Sequence, residues 1–280
     1  MTRIAQRFAL LARHGRKALI PYITAGDPNP SVTVPLMHAL VRSGADLVEL
    51  GVPFSDPMAD GPVIQRASER ALRHGVSLAR VLAMVEEFRT QDAETPVVLM
   101  GYLNPIEVMG HASFAQRASA AGVDGVLTVD LPPEEAGNFI PALRKSGLDS
   151  IFLLAPTSDV ARIRLISAAS SGFIYYVSLR GVTGASHLDV SDVARRLKEI
   201  RPYTKLPLGV GFGINSPQVA ASVAEISDAV IVGSAIVKRV EELSSQPERI
   251  IDAVPAFLAS LRTAMDRSGL SPTRVTGVTR

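Results

Sequence analysis

One acidic residue stands where an acid is costly. Glu49 interrupts the apolar run Leu47-Val48-Glu49-Leu50-Gly51-Val52, and no Lys or Arg lies between Arg42 and Arg66 to pair with it locally. A carboxyl group in a buried strand loses hydration. That disfavours its charged form and raises its pKa toward the range useful to a general acid or base. A second acid, Asp60, lies in the loop Pro53-Phe54-Ser55-Asp56-Pro57-Met58-Ala59-Asp60-Gly61-Pro62. Taken alone, an Asp among Pro and Gly reads as a turn former, and Asp56 before Pro57 more so. The third feature is a set of glycine clusters: Gly181-Val182-Thr183-Gly184, Gly211-Phe212-Gly213 and Gly233-Ser234. Free backbone N–H groups and a helix start favour an anion, so three clusters at successive strand ends read together as a phosphate pocket. No Lys or Arg falls within those clusters, and Arg180 is the nearest. Anion binding is therefore expected to rest on backbone N–H groups and a helix N-terminus.

Elimination narrows the chemistry. With no Cys, disulfides, thiolate zinc sites and Cys nucleophiles are excluded. Lys17, Lys145, Lys198, Lys205 and Lys238 all fall away from strand ends, which argues against a Schiff-base barrel enzyme. Of His14, His38, His74, His111 and His187, only His187 falls in a loop after a strand, so no metal-ligand set assembles. Neither a Gly-x-x-x-x-Gly-Lys-Ser/Thr loop nor a nucleophile elbow is present. Carboxylate acid–base chemistry without a cofactor in this chain remains.

The elements that must position these residues are short apolar runs alternating with helical patterns. The runs are Ala18–Thr24, Asp46–Val52, Pro96–Tyr102, Gly125–Asp130, Ser150–Ala155, Phe173–Ser178, Pro207–Phe212 and Ala229–Gly233. They are continuously apolar rather than alternating, as parallel strands covered by helices are. Amphipathic stretches lie between them at 31–43, 77–90, 111–121, 134–146, 160–169, 190–201 and 217–224, and a further one at 248–266 follows the last run. Eight strand–helix units predict an α/β fold, a (β/α)8 TIM barrel, in which chemistry sits where strands end. An open doubly wound sheet fits less well, because a Gly-x-Gly-x-x-Gly turn after the first strand is missing. Ile4, Phe8, Leu10 and Leu11 add an N-terminal helix, a plainer reading of the acid-free start than a transit peptide. No linker divides the chain, so residues 1–266 read as one barrel domain and 267–280, rich in Ser, Gly, Thr and Pro, as a flexible tail.

Charge excludes a further class. The 280 residues carry 29 basic and 27 acidic side chains, a formal +2, but eight of the basic ones sit in the acid-free segments 1–26 and 267–280. The body, 27–266, therefore holds 21 basic against 27 acidic residues, a charge of −6. Such a field does not attract nucleic acid, and few aromatic residues are available for base stacking. No apolar run approaches the roughly 20 residues that span a membrane.

Several of these segments resemble the α subunit of tryptophan synthase. They are DLVELGVPFSDPMADGPVIQ (46–65), PYITAGDP (21–28), MGYLNP (100–105), GVDGVLTVDLPPEEA (122–136), FLLAPTS (152–158), YYVSLRGVTG (175–184), GVGFGIN (209–215) and AVIVGSAIVK (229–238). The resemblance spans about residues 18–240, in order and at family spacing, and its first segment is the most specific. It implies a barrel lyase that splits indole-3-glycerol phosphate into indole and glyceraldehyde 3-phosphate by retro-aldol cleavage. The family's catalytic acids fall on Glu49 and Asp60, which overrides the turn reading of Asp60. Tyr22, Ile64, Met100 and Phe212 would form the apolar slot for the indole ring, with Tyr175 as a pocket or auxiliary residue able to position Glu49. Gly184, Gly213, Gly233 and Ser234 would hold the phosphate, and Thr183 lies in the loop that closes over the site. Tyr22 stands where the family often has Phe.

The family works with a β subunit that carries pyridoxal phosphate, while the α subunit binds no cofactor. The resemblance thus implies an α2β2 complex, docked through the loops around Asp56 and Asp130–Pro133, and a cytoplasmic location. Two other readings of the residues are a different phosphate-binding barrel isomerase, which would use Glu49 without the apolar slot, and a non-catalytic regulatory barrel.

Overall fold

The computed structural model describes residues 1–178, 189–211 and 213–268. Thr183, Gly184 and Phe212 lie outside the described residues, as do Arg180, Gly181, His187 and the segment 269–280. Nine parallel strands form one sheet: β1 (Ala18–Thr24), β2 (Val48–Gly51), β3 (Val97–Gly101), β4 (Gly125–Thr128), β5 (Asp149–Ile151), β6 (Leu153–Leu154), β7 (Ile174–Val177), β8 (Leu208–Gly211) and β9 (Ala229–Val232). Their order is β5-β4-β3-β2-β1-β9-β8-β7-β6. Both sheet edges belong to one stretch of chain, because only Phe152 separates β5 from β6. At that residue the backbone passes from pairing with β4 to pairing with β7, and the Phe152 carbonyl accepts from the Tyr175 amide at 3.1 Å. The fifth run, expected as one strand, is therefore two short pieces that nearly close the predicted eight-unit barrel.

The N-terminal helix α1 (Arg3–Arg13) shows why an acid-free segment belongs to the fold. Ile4, Phe8 and Leu11, spaced for one helical face, pack on Ala18, Ile20, Leu47, Phe173 and Ala229, which mark the starts of strands. The helix thus plugs the N-terminal mouth of the barrel. The same end is fastened by carboxylates. Asp46, Asp124 and Asp228 precede β2, β4 and β9, and each accepts the amide of a residue opening the adjacent strand: Leu19 at 2.9 Å, Val97 at 2.8 Å and Leu208 at 2.8 Å. Arg262, Arg89 and Arg201 balance these acids, so the acids of this mouth serve structure.

Helices cover the outside of the sheet. α2 (Pro30–Arg42), α4 (Leu78–Arg89), α6 (His111–Ala121), α8 (Val160–Ala169), α9 (Val190–Ile200) and α10 (Pro217–Ile226) match the expected stretches. The stretch expected from Glu134 begins only at Phe139 as α7 (Phe139–Lys145), because the carbonyls of Pro132 and Pro133 accept turn bonds from the Glu135 and Ala136 amides instead. Two helices lie outside the expected stretches, α3 (Pro62–Arg73) and α5 (Leu103–Met109). α11 (Ser234–Glu242) follows β9 directly, and α12 (Ile250–Ser268) takes in the first two residues of the expected tail. Among the described residues no helix is long and apolar enough to cross a membrane.

Candidate active site

A cavity of about 560 Å³ opens at the C-terminal ends of the strands. Its lining includes Tyr22, Glu49, Ile64, Met100, Tyr175, Gly213, Gly233 and Ser234, so eight of the expected site residues converge there from separate strand ends and helices. Glu49 and Tyr22 are register partners on β2 and β1, which places their side chains on one face of the sheet. Glu49 is 1% exposed, and its Oε1 has no hydrogen-bond partner. Burial, and then the nearby Asp60 charge, push its carboxyl up to about 8. This carboxyl group therefore holds its proton at neutral pH and can give it away without a large penalty.

The apolar slot is set by close packing. Tyr22, Ile64, Ala67 and Val237 form one buried cluster, with Met100 and Val63 against it. Tyr22 Oη shares a 3.3 Å hydrogen bond with Thr24 Oγ1, and its ring leans over Gly51, the last residue of β2. A Cβ on Gly51 would fall 2.1 Å from Tyr22 Oη and 2.6 Å from Cζ. Replacing Gly51 by Ala is therefore expected to push the Tyr22 ring into the slot and to cost about 1–3 kcal/mol of stability. Chemical denaturation alongside the KM for substrate checks this, and an unchanged KM would show that the ring yields elsewhere.

Asp60 stands just outside the cavity lining, in a turn where its own amide bonds to the Pro57 carbonyl at 3.0 Å. Tyr102 Oη donates to Asp60 Oδ2 at 3.0 Å and accepts the Ala59 amide at 2.9 Å, while its ring stacks on Phe54. Burial raises the Asp60 carboxyl, and the Tyr102 hydrogen bond opposes that rise. Read from the sequence, Tyr102 marks only a strand end. In the fold its phenol ties the Asp60 loop to the end of β3, a link between units that local sequence does not carry.

Two features at the α11 end of the cavity lie outside the sequence reading. First, a Cβ at Gly211 would lie 2.1 Å from Tyr175 Oη, so the glycine makes room for that ring. Second, basic side chains are at hand. Lys238 and Arg239, in the second turn of α11, line the cavity. Arg239 is engaged by the Ala235 carbonyl at 2.7 Å and by the Phe257 ring, whereas Lys238 faces Glu242, 4.0 Å away. The spacing from Ser234 to Lys238, one helical turn, is the signal in the sequence that points to it. Gly213 has φ +74°, Gly233 caps α11, and the Ser234 and Ala235 amides precede the first intrahelical bonds, which Ile236 and Val237 make to the Gly233 carbonyl. Among the described residues no three His, Cys, Asp or Glu side chains are grouped as metal ligands would be.

A family model described as tryptophan synthase alpha chain matches residues 8–266. The chain belongs to that family. The tryptophan synthase alpha chain of Nitrosococcus oceani is 64% identical over 266 residues, covering 95% of this chain and 98% of that one. That of Thioalkalivibrio sulfidiphilus is also 64% identical, covering 95% of this chain and all of its own length. Among solved structures, the tryptophan synthase subunit alpha of Legionella pneumophila is 49% identical, with TM-score 0.89 over 95% of this chain and 99% of its own. A chain of Mycobacterium tuberculosis tryptophan synthase is 38% identical, with TM-score 0.84 over 94% and 98%. The family accounts for the whole barrel, including the N-terminal plug from Phe8 onward.

Proposed function

We propose that Glu49 and Asp60 carry the reaction of this family in the chain, cleavage of indole-3-glycerol phosphate to indole and glyceraldehyde 3-phosphate. Protonated Glu49 gives its proton to C3 of the indole, and Asp60 accepts a hydrogen bond from the ring N–H, stabilising the positive charge that develops there. The Glu49 carboxylate then takes the proton of the hydroxyl on the carbon attached to C3. The carbon–carbon bond breaks, its electrons return to the ring, and Glu49 ends protonated as it began. Tyr22, Ile64, Met100 and Tyr175 flank the ring, while Gly213, Gly233 and Ser234 face the phosphate. The observation that carries the reading is a buried carboxyl, with an unpartnered oxygen and a pKa near 8, inside an apolar cavity whose far end is a helix start.

The same reading includes a β subunit as partner, with pyridoxal phosphate held there and an α2β2 assembly. That docking would use the loops around Asp56 and Asp130–Pro133, where Met58, beside Asp56 in the Asp60 loop, is 88% exposed. Purified chain, alone and with β subunit, should release indole from indole-3-glycerol phosphate. No release with the β subunit present sinks the reading, and turnover of a sugar phosphate lacking the indole would favour an isomerase.

A further inference from the structure

Outside the cavity, one guanidinium joins three of the segments that build it. Arg70, on α3, donates from Nε and Nη2 to Asp27 Oδ1 and Oδ2 at 2.7 and 3.0 Å, and from Nη1 to Glu241 Oε1 at 2.7 Å. Arg66, one turn earlier, donates to both oxygens of Glu241 at 2.7 and 2.8 Å. The side chains of Asp27 and Arg70 are 2% and 17% exposed, and the hydrogen bonds from Arg66 and Arg70 hold the Glu241 carboxyl down at about 2.

Each partner belongs to a different part of the site. Asp27 lies in the turn after β1, the strand of Tyr22. Arg70 lies on the helix that starts immediately behind Asp60 and Gly61. Glu241 lies on α11, whose first turns present Ser234 and Lys238. Beneath the ionic network the same three elements meet in the apolar cluster of Tyr22, Ile64, Ala67 and Val237. A buried ion pair adds little net stability over an apolar packing of the same shape, whereas a planar guanidinium bonded at both edges fixes distance and angle.

Resting on the reading of the site above, we propose that Arg70 is a positioning residue. It sets the separation between the start of α3, where Asp60 meets the indole end of the substrate, and the start of α11, where the phosphate lies. Arg70 touches neither end, so its effect appears only with a ligand that spans both. Misplacing one end of a bound substrate by a fraction of an ångström to an ångström costs on the order of 10–100-fold in rate.

The test compares a spanning ligand with a single-ended one. In Arg70→Met, kcat/KM for indole-3-glycerol phosphate is expected to fall on the order of 10–100-fold, chiefly in kcat, while the Kd of glycerol 3-phosphate changes by less than about threefold. Arg70→Lys keeps the charge but cannot reach Asp27 and Glu241 with both edges, so it should recover the melting temperature without recovering kcat. Glu241→Gln, which keeps one acceptor but removes the charge that holds the α11 arm, should show the same split at smaller size. If Arg70→Met does not fold, Arg70→Lys and Glu241→Gln decide the matter. The proposal is overturned by wild-type kcat/KM in these variants, or by equal losses for both ligands. A wild-type chain that binds glycerol 3-phosphate yet releases no indole overturns the functional reading instead.

Discussion

Replacing Glu49 by Gln is expected to leave a folded chain that releases indole on the order of 10²–10⁴-fold more slowly than wild type at pH 7. The amide fills the same space but neither gives nor takes the proton. A second readout separates this from general damage, because the two forms should differ in stability with pH. The Glu49 carboxyl has an ordinary value of 4.5 and is raised to about 8 in the folded chain. Between those values the folded state holds a proton that the unfolded state releases, so stability falls as pH rises, by about 1.4 kcal/mol per pH unit. The contribution is whole below pH 4.5 and gone once pH has passed 8. An amide at this position does not titrate and suffers no such loss. The Glu49→Gln variant should therefore melt above wild type at about pH 9 and alongside it at about pH 4, as differential scanning calorimetry would show. In wild type, kcat/KM should decline as pH rises through about 8, since the protonated form begins the reaction. A variant that melts no higher than wild type at alkaline pH would show that Glu49 is paired rather than stranded.

Glu49 is legible in the sequence because its chemistry is local: an acid in an apolar run announces its own desolvation. The strands are legible for a similar reason, as burial on both faces leaves unbroken apolar runs. What escapes depends on contacts between units. The helical spacing of Val63, Ile64, Ala67 and Ala71 is present in the sequence, yet α3 is masked because it opens directly from a Pro/Gly loop. Without α3, Arg70 has no face to occupy. Tyr102 gains its meaning from Asp60, 42 residues away, and Gly211 from Tyr175, so neither carries a local sign. Lys238 escapes a search of strand ends because it follows a helix start. The resemblance fills one of these gaps, Asp60, whose own neighbourhood reads only as a turn. Thr183, Gly184 and Phe212 lie outside the described residues, and their assignment to the site rests on the resemblance.

Asp60→Asn should lower kcat on the order of 10²–10³-fold with a smaller change in KM, because the charge is needed only when the ring becomes positive. The variant also reports on Glu49. The Asp60 charge is one of the two causes that raise the Glu49 carboxyl, so its removal should move the alkaline limb of the residual activity below that of wild type. Tyr102→Phe makes the complementary change. It keeps the charge but removes the hydrogen bond that opposes the rise of the Asp60 carboxyl, so Asp60 takes up a proton at higher pH. Activity should then fail earlier as pH is lowered, while the rate at its plateau falls only modestly. The two pH profiles thus move opposite limbs: Asp60→Asn the alkaline one downward, Tyr102→Phe the acid one upward. A plain loss of packing moves neither. Near-wild-type kcat in Asp60→Asn would remove this carboxylate from the chemistry and return it to the turn former that its loop alone suggests.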